Sequence, residues 1–124
     1  MLLLCSAMIF ASGSNEVLYQ GEISFSGQAY SGNLNMKFVL HNSTSSLWSN
    51  DGSGNMNAEP NSAVNVSVEE GLYSVALGDA DLTNMQALNS AVLGQTKLHL
   101  RVWVDDGSGT FSLLSPDKEF YSVF

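Results

Sequence analysis

Residues 34–41 read LNMKFVLH, a segment in which apolar and polar side chains alternate. In an extended chain, one face of this segment carries only apolar side chains, those of Leu34, Met36, Phe38 and Leu40. The opposite face carries polar side chains, those of Asn35, Lys37 and His41. A period of two residues is typical of a β-strand that covers a core on one side. The segment therefore predicts a strand of an antiparallel sheet.

The same period of two recurs along most of the chain. Residues 64–69 and 97–104 alternate in this way, and shorter strands are predicted at residues 17–23, 47–49, 72–77, 110–114 and 120–123. The Ser-Pro-Asp run at 115–117 is expected to break the ladder, because proline has no N–H to donate. Only residues 81–93 have helical spacing, which predicts one short amphipathic helix. About eight short strands and one helix predict an all-β fold, an antiparallel β-sandwich or a jelly-roll-like fold, with each sheet covered on one face.

Length and charge narrow the functional classes. The chain has 124 residues, which suits one domain. Twelve acidic residues against four basic ones give a net charge of -8. Nucleic-acid binding needs basic clusters, so nucleic acid is not an expected partner. Charged residues make up only 13% of the chain, against about 25% in an average protein, so Ser, Asn, Gly and Thr are expected to form much of the surface.

The first thirteen residues, MLLLCSAMIFASG, are apolar, uncharged and end in small residues. This pattern is typical of a secretory signal peptide, although no Lys or Arg follows Met1, so the leader is truncated or atypical. The mature module would span residues 14–124, without membrane insertion once the leader is removed, because ten apolar residues are too few to cross a bilayer. Removal would also eliminate Cys5, the only cysteine. The competing interpretation is a buried first strand, and a lipid anchor at Cys5 is disfavoured by the bulky Leu4.

The motif DGSG occurs at residues 51–54 and again at 106–109. Neither copy has the glycine and glutamate spacing of a helix-loop-helix calcium site. Each copy follows an alternating run, and Asp-Gly in that position is a hairpin signal because glycine accepts positive φ. We therefore interpret both copies as turns, and the second as a hairpin tip. An irregular calcium site at Asp51, or at Asp105 with Asp106, is the alternative, but no metal or other cofactor is predicted.

Residue types that could support catalysis are few. There is no G-x-S-x-G motif for a serine nucleophile. His41 and His99 both lie on polar strand faces, where they could be neighbours across a sheet, but no third metal ligand can be assigned. The chain is therefore predicted not to be an enzyme. A small secreted hydrolase is the weakest alternative, and it requires a pocket that groups either histidine with two carboxylates.

Aromatic side chains suggest where a ligand could bind. Trp48 is expected in the core, whereas Trp103 lies on the polar side of its strand. Exposed aromatics on a β-sandwich can stack on sugar rings or anchor a partner. The candidate ligand-binding residues are Trp103 and Tyr73, together with Asp51 and Asn55 from the irregular segment 50–63. In the competing interpretation, a loop or another subunit covers the face that carries Trp103.

The order of several short motifs resembles a known module. LYQGEI, GNLNMKFVLHNS, SLWS, VNVSVEEGLYSVALGD, LHLRVWVDDG and LLSPDKEFYSVF follow one another from residue 18 to residue 124. This series is similar to the N-terminal β-sandwich module of secreted, cell-surface and tail-fibre-like bacterial proteins, which carries no known catalytic residues. The resemblance implies a secreted or cell-surface location and a structural role.

These observations predict a non-catalytic secreted module that functions in assembly or adhesion at a bacterial surface. Exposed strand edges would mediate self-association or binding to other surface proteins. A carbohydrate-binding module that uses exposed aromatics, with glycans as partners, is the alternative. It requires Trp103 to be exposed.

Overall fold

The computed structural model describes residues 3–12, 16–95, 97–105 and 107–121, with the backbone alone for 3–12, 115–116 and 120–121. The regular secondary structure of this part of the chain is almost entirely β. Its elements are β1 (Leu3–Ser12), β2 (Glu16–Phe25), β3 (Gln28–Ala29), β4 (Gly32–His41), β5 (Ser46–Ser49), β6 (Val64–Val68), β7 (Leu72–Leu77), α1 (Ser90–Leu93), β8 (Lys97–Asp105) and β9 (Phe111–Tyr121). No helix among these elements is long and apolar enough to cross a membrane.

The strands form two antiparallel sheets, which confirms the predicted all-β sandwich. Sheet A contains β1, β2, β3 and β7, with β2 in its centre. Sheet B contains β4, β5, β6, β8 and β9, in which β4 pairs with β8 on one side and with β5 and β6 on the other. The Glu70-Gly71 turn links β6 to β7 and so passes from one sheet to the other. Both turn residues have positive φ, as a tight hairpin turn requires.

Alternating side chains of both sheets build the core between them. The apolar face predicted for residues 34–41 is fully part of it, because Leu34, Met36, Phe38 and Leu40 are all buried. Sheet A contributes Val17, Tyr19 and Ile23 from β2 and Tyr73, Val75 and Leu77 from β7. The core is therefore the product of the period of two that the sequence shows.

The N-terminal segment forms a strand in this structure. β1 pairs with β2 at ten positions, from Leu3 opposite Phe25 to Ser12 opposite Glu16. The first strand that the sequence left as the competing interpretation is therefore present. Whether the same residues also act as a cleaved leader is a prediction that this geometry does not test.

The predicted helix at residues 81–93 is wrong over most of its length. Only Ser90–Leu93 is helical, and Asn89 caps it by accepting a hydrogen bond from the Val92 N–H at 2.9 Å. The residues before it form successive turns, such as the one closed by Leu82 N–H on Asp79 O at 3.0 Å. Met85, Leu88 and Val92 are nevertheless buried. The spacing identified residues that pack inward, but turns rather than a continuous helix place them there.

The predicted break in the ladder is present, because residues 115–117 are not paired with β8, but the predicted division into two strands is wrong, since β9 continues through Pro116. The ladder accommodates the proline with a bulge. Leu100 pairs with Lys118 and Val102 pairs with Leu114, so three residues of β9 lie opposite a single residue of β8. β9 is an edge strand, and proline is tolerated at edges and bulges, where no ladder hydrogen bond depends on it.

The expectation that each sheet is covered on one face only fails for sheet B. Lys37, Val39, His41 and Trp103 lie on its outer face, and all four are buried. Part of the cover comes from the segment between β5 and β6, from which Glu59 reaches Lys37 and Met56 reaches Arg101. A loop therefore packs on this face, as in the competing interpretation of Trp103.

Candidate functional site

The two histidines lie together on the outer face of sheet B. His41 of β4 pairs directly with His99 of β8. Their rings stack with centroids 5.1 Å apart and planes 9° from parallel. The sequence suggested that they could be cross-sheet neighbours, and the register makes them so.

Asp117 joins the histidines to an arginine. Its Oδ2 lies 2.6 Å from His41 Nε2, and Arg101 Nε donates to both carboxylate oxygens, at 2.9 and 3.1 Å. His41 Nδ1 accepts a hydrogen bond from the Ser43 N–H at 3.0 Å. Because Nδ1 accepts from a backbone N–H, Nε2 is the ring nitrogen that donates to Asp117 in this geometry.

The charge of Asp117 is stabilised by these contacts. Burial by itself raises the pKa of the carboxyl group, but hydrogen bonds from Arg101 and His41 and the positive charge of Arg101 outweigh it. The pKa of Asp117 therefore lies below its ordinary value, and the group is ionised at neutral pH.

Ser43 completes the cluster from the turn that follows β4. Its backbone has φ of 80°, a left-handed conformation that is uncommon for serine. Its Oγ lies 3.0 Å from His99 Nε2, and His99 Nδ1 lies 3.8 Å from Glu119 Oε2. We refer to Ser43, His41, His99, Arg101 and Asp117 as the histidine cluster.

The contacts from Ser43 to His99 and from His99 to Glu119 follow the serine, histidine and acid series of a serine hydrolase, but the second contact is too long. The 3.8 Å separation between His99 and Glu119 exceeds hydrogen-bond length. An acyl-transfer site also needs N–H donors for the oxyanion. The N–H groups that follow Ser43, those of Thr44 and Ser45, already donate to Asn42 Oδ1 at 3.1 and 2.7 Å. The cluster thus has the residue types of a catalytic site without its open donors.

The segment between β5 and β6 closes over the same face. Arg101 Nη1 donates to the Met56 carbonyl oxygen, and Lys37 Nζ lies 2.7 Å from Glu59 Oε1. Lys37 Nζ also lies 3.9 Å from the centre of the Phe111 ring. In the part of the chain that the structure describes, every buried side-chain nitrogen and oxygen has a hydrogen-bond partner. The buried polar groups of this face are thus used within the fold.

Asp51 of the first DGSG motif organises the same segment. Its Oδ1 accepts from Ser53 N–H at 2.8 Å and from Ser53 Oγ at 2.6 Å, while Oδ2 accepts from Ser62 N–H at 2.7 Å. Burial by itself raises the pKa of Asp51, but the hydrogen bonds lower it by more than burial raises it. The pKa of Asp51 therefore lies below its ordinary value. Both carboxylate oxygens are therefore used in closing the loop.

The second DGSG motif belongs to the turn between β8 and β9, as predicted. Asp105 Oδ1 accepts from the N–H groups of Gly107 and Gly109 at 2.8 and 3.0 Å. Both glycines have positive φ. Asp106, named with Asp105 as a calcium candidate, lies outside the described residues. Among residues that are described, no three His, Cys, Asp or Glu side chains are grouped to hold a metal ion.

The four candidate ligand-binding residues do not form one exposed site. A carbohydrate-binding surface built on Trp103 requires this residue to be exposed. Trp103 does not meet the requirement, because only 8% of its surface is accessible. Tyr73 is buried, with its hydroxyl 3.0 Å from that of Tyr19. Asp51 is half-buried, and only Asn55 is exposed.

Tyr73 does border a surface groove. The groove has a volume of about 760 Å³ and lies where β2, β6 and β7 meet. Six of its nine lining residues are polar, namely Gln20, Glu22, Ser67, Glu69, Glu70 and Ser74, and the other three are Gly21, Leu72 and Tyr73. Leu72 is 60% exposed there.

The sequence analysis missed Asn50, which connects the segment between β5 and β6 and the segment between β7 and α1 to strand β4. It has no accessible surface. Its Oδ1 accepts from Phe38 N–H at 2.8 Å, and its Nδ2 donates to Ser62 O and Asn84 O at 2.9 and 3.1 Å. The available signal was its position at the end of a strand, directly before the first DGSG motif.

Comparison with known proteins identifies a family but no named relative. No curated protein and no solved structure matches the chain. The model of a domain of unknown function, DUF8740, matches residues 18–117. The match begins inside β2 and ends at Asp117, so it covers both sheets but leaves β1 outside. Because the match spans most of the sequence, the chain belongs to the DUF8740 family.

Proposed function

We propose that the protein is a non-catalytic secreted module that functions in assembly or adhesion at a bacterial surface. The apolar, uncharged N-terminus supports export. The resemblance to secreted β-sandwich modules supports a structural role. The family match, which begins at Leu18, is in keeping with a module preceded by a separable segment.

The observation that carries the non-catalytic part of the proposal is the incomplete relay around His99 in the histidine cluster. Asp117 is held between His41 and Arg101, and the Arg101 guanidinium is in turn bonded to the Met56 carbonyl. A catalytic acid or base must reach a substrate proton, and a nucleophile must have an oxyanion site beside it. Here Glu119 lies 3.8 Å from His99, beyond hydrogen-bond length, and the N–H groups of Thr44 and Ser45 donate to Asn42 and not toward an oxyanion.

Export can be tested directly on the full chain. The protein is expressed with its own N-terminus in a bacterial host, and each fraction is analysed by intact mass. We expect an exported product that begins near residue 14. A matched variant, Ile9→Asp, places a charge in the apolar segment and should keep the product inside the cell. A wild-type product that stays in the cytoplasm with its first thirteen residues would contradict secretion.

The absence of catalysis can be tested on the same exported protein. Hydrolysis of small activated esters is measured for the wild type, Ser43→Ala and His99→Ala. We expect all three to have the same rate. A rate for the wild type that both variants lose would show that Ser43 and His99 act together as nucleophile and base, and the proposal would be wrong.

Carbohydrate binding is a second candidate function, at the groove beside Tyr73 and not at Trp103. The groove beside Tyr73 offers carboxylates, an amide and hydroxyls, the groups that hydrogen-bond to sugars, next to the exposed Leu72. Titration with soluble oligosaccharides followed by NMR would test it. Shifts confined to residues that line the groove and abolished by Glu69→Ala would support binding, and an unchanged spectrum would reject it.

A further inference from the structure

The strand that precedes the family domain has an unusual position in sheet A. β1 is an edge strand, and it covers one whole side of β2, from Glu16 to Phe25. On its other side β2 pairs with β7 and β3. If residues 1–13 are cleaved as the proposed function requires, one molecule cannot also use them as β1. Cleavage would leave ten residues of β2 with an unpaired edge.

An unpaired edge of this length is a template for another strand. The side of β2 that faces the core carries Val17, Tyr19 and Ile23, which are 1%, 0% and 0% exposed with β1 in place. Loss of β1 uncovers backbone N–H and C=O groups beside these side chains. A new strand would restore both the hydrogen bonds and the apolar cover.

We propose that the cleaved protein dimerises through this edge, with β2 of one molecule pairing antiparallel to β2 of a second copy. The two-fold axis passes through Gln20, and a continuous sheet forms from the three remaining strands of sheet A in each copy. This inference rests on the secretion part of the proposed function, because only leader removal frees the edge.

The sequence of β2 is self-complementary in this register. Residues opposite each other in an antiparallel pair point to the same face, so pairing about a residue keeps inward side chains together. With Gln20 on the axis, Tyr19 lies opposite Gly21, and Val17 lies opposite Ile23. In this register no two charged side chains lie opposite each other, because Glu16 lies opposite Ser24 and Glu22 lies opposite Leu18.

The two neighbouring registers fit less well. An axis through Tyr19 places Glu16 opposite Glu22, and two carboxylates in direct cross-strand contact repel each other. An axis through Gly21 places the two glycines opposite each other, so the centre of the interface gains no side-chain contact. Only the axis through Gln20 avoids both faults, with Glu22 opposite Leu18. Keeping carboxylates apart across the interface is important here, because two copies of a chain with a net charge of -8 already repel each other.

Cysteine cross-linking tests the register. In a Cys5→Ser background, Gln20→Cys makes residue 20 the only cysteine of the full chain. Opposed Cα atoms in antiparallel strands are about 4.5–5.5 Å apart, which is within disulfide range. Glu22→Cys is the matched control: it lies opposite Leu18, so the two copies of residue 22 are roughly 13 Å apart along the strand.

The experiment uses the exported, processed protein, with its N-terminus read by intact mass and its folding checked by circular dichroism. After mild oxidation we expect most Gln20→Cys protein as a disulfide-linked dimer and Glu22→Cys protein as monomer. Light scattering should give a dimer for the processed wild type. The same Gln20→Cys chain retained in the cytoplasm with residues 1–13 should not cross-link, because β1 occupies the edge.

The contrary outcomes are distinct. A processed protein that is monomeric, or whose two cysteine variants cross-link equally, overturns the dimer and leaves secretion standing. A monomer is the result expected if β9, which lies beside β1, closes onto β2 within the same molecule. An exported protein that retains residues 1–13 overturns both the leader and the dimer that depends on it.

Discussion

His41 and His99 occupy the same rung of the β4–β8 ladder, and their parallel rings lie 5.1 Å apart. Each ring holds a different part of Ser43: His41 Nδ1 accepts from its N–H, and His99 Nε2 lies 3.0 Å from its Oγ. The pair therefore fixes the turn after β4. Because Asp117 bonds to His41, the same pair joins that turn to β9.

Asp117→Asn tests the ionic part of the cluster. The folded-state pKa of Asp117 is lowered, so its charge stabilises the fold above the unfolded-state pKa of about 4 and loses that effect as the pH falls through the folded value. At pH 7 we expect the variant to lose about 1–3 kcal/mol in free energy of unfolding. Urea unfolding from pH 7 to pH 2 should show the two proteins converging in acid.

Asp51 is the control for that measurement, because its pKa is lowered as well. The wild type should therefore lose stability in the same acid range from two groups, and Asp51→Asn should remove only the part due to Asp51. A constant difference between wild type and Asp117→Asn at every pH would mean that the Asp117 side chain acts by packing and not by charge.

Ser43→Gly and Ser43→Ala separate strain from hydrogen bonding. Both variants lose the Oγ contact to His99, but only glycine adopts a φ of 80° without a steric penalty. We expect Ser43→Gly to be more stable than Ser43→Ala by about 1 kcal/mol, measured by chemical denaturation. Equal stabilities would indicate that the turn relaxes to negative φ when the hydroxyl is lost.

The strands could be predicted from the sequence because burial on one face imposes a period of two. Val64, Val66 and Val68 show the agreement, since all three are buried and Asn65 and Ser67 between them are exposed. The errors arose where tertiary context overrides local preference. An edge position and a bulge make Pro116 acceptable in β9, and neither can be read from the residues beside it.

The candidate site was less predictable, because its contacts are distant in sequence. His41 and Asp117 are 76 residues apart, and only the pairing of β4, β8 and β9 brings them together. Alternation correctly placed Trp103 on the outer face of its sheet but could not show that this face is covered. Cover depends on the path of the segment between β5 and β6, which the periodicity of β8 does not encode.

Gly54→Ala and Gly109→Ala compare the last glycine of each DGSG motif. The two have similar φ values, 78° and 88°. A Cβ on Gly54 would lie 2.7 Å from the Ala58 carbonyl oxygen and from the Pro60 nitrogen, whereas a Cβ on Gly109 meets nothing within 4 Å. Gly109→Ala should cost about 1–2 kcal/mol from φ alone, and Gly54→Ala distinctly more. Equal losses in thermal unfolding would argue against a close-packed first loop.

Gly21→Ala tests the close approach of Tyr73 to β2. A Cβ at Gly21 would overlap Tyr73 Cζ, and the tyrosine hydroxyl is held 3.0 Å from that of Tyr19. We expect the substitution to cost about 1–3 kcal/mol in the wild type. In a Tyr73→Val background it should be nearly neutral, and a double-mutant cycle measures the difference. An equal cost in both backgrounds would place the clash elsewhere.

Asn50→Asp should strongly destabilise the fold, because it replaces a buried amide donor with a charged acceptor. The amide Nδ2 donates to Ser62 O and Asn84 O, and a carboxylate would set a charged oxygen against both carbonyls at a site with no accessible surface. We expect a loss of about 3–5 kcal/mol in the free energy of unfolding. Asn65→Asp is the matched control: Asn65 is exposed on β6, and the exchange there should change stability by less than about 0.5 kcal/mol. The measurement is urea denaturation of both variants. Similar losses in the free energy of unfolding would mean that Asn50 does not join the loops to β4.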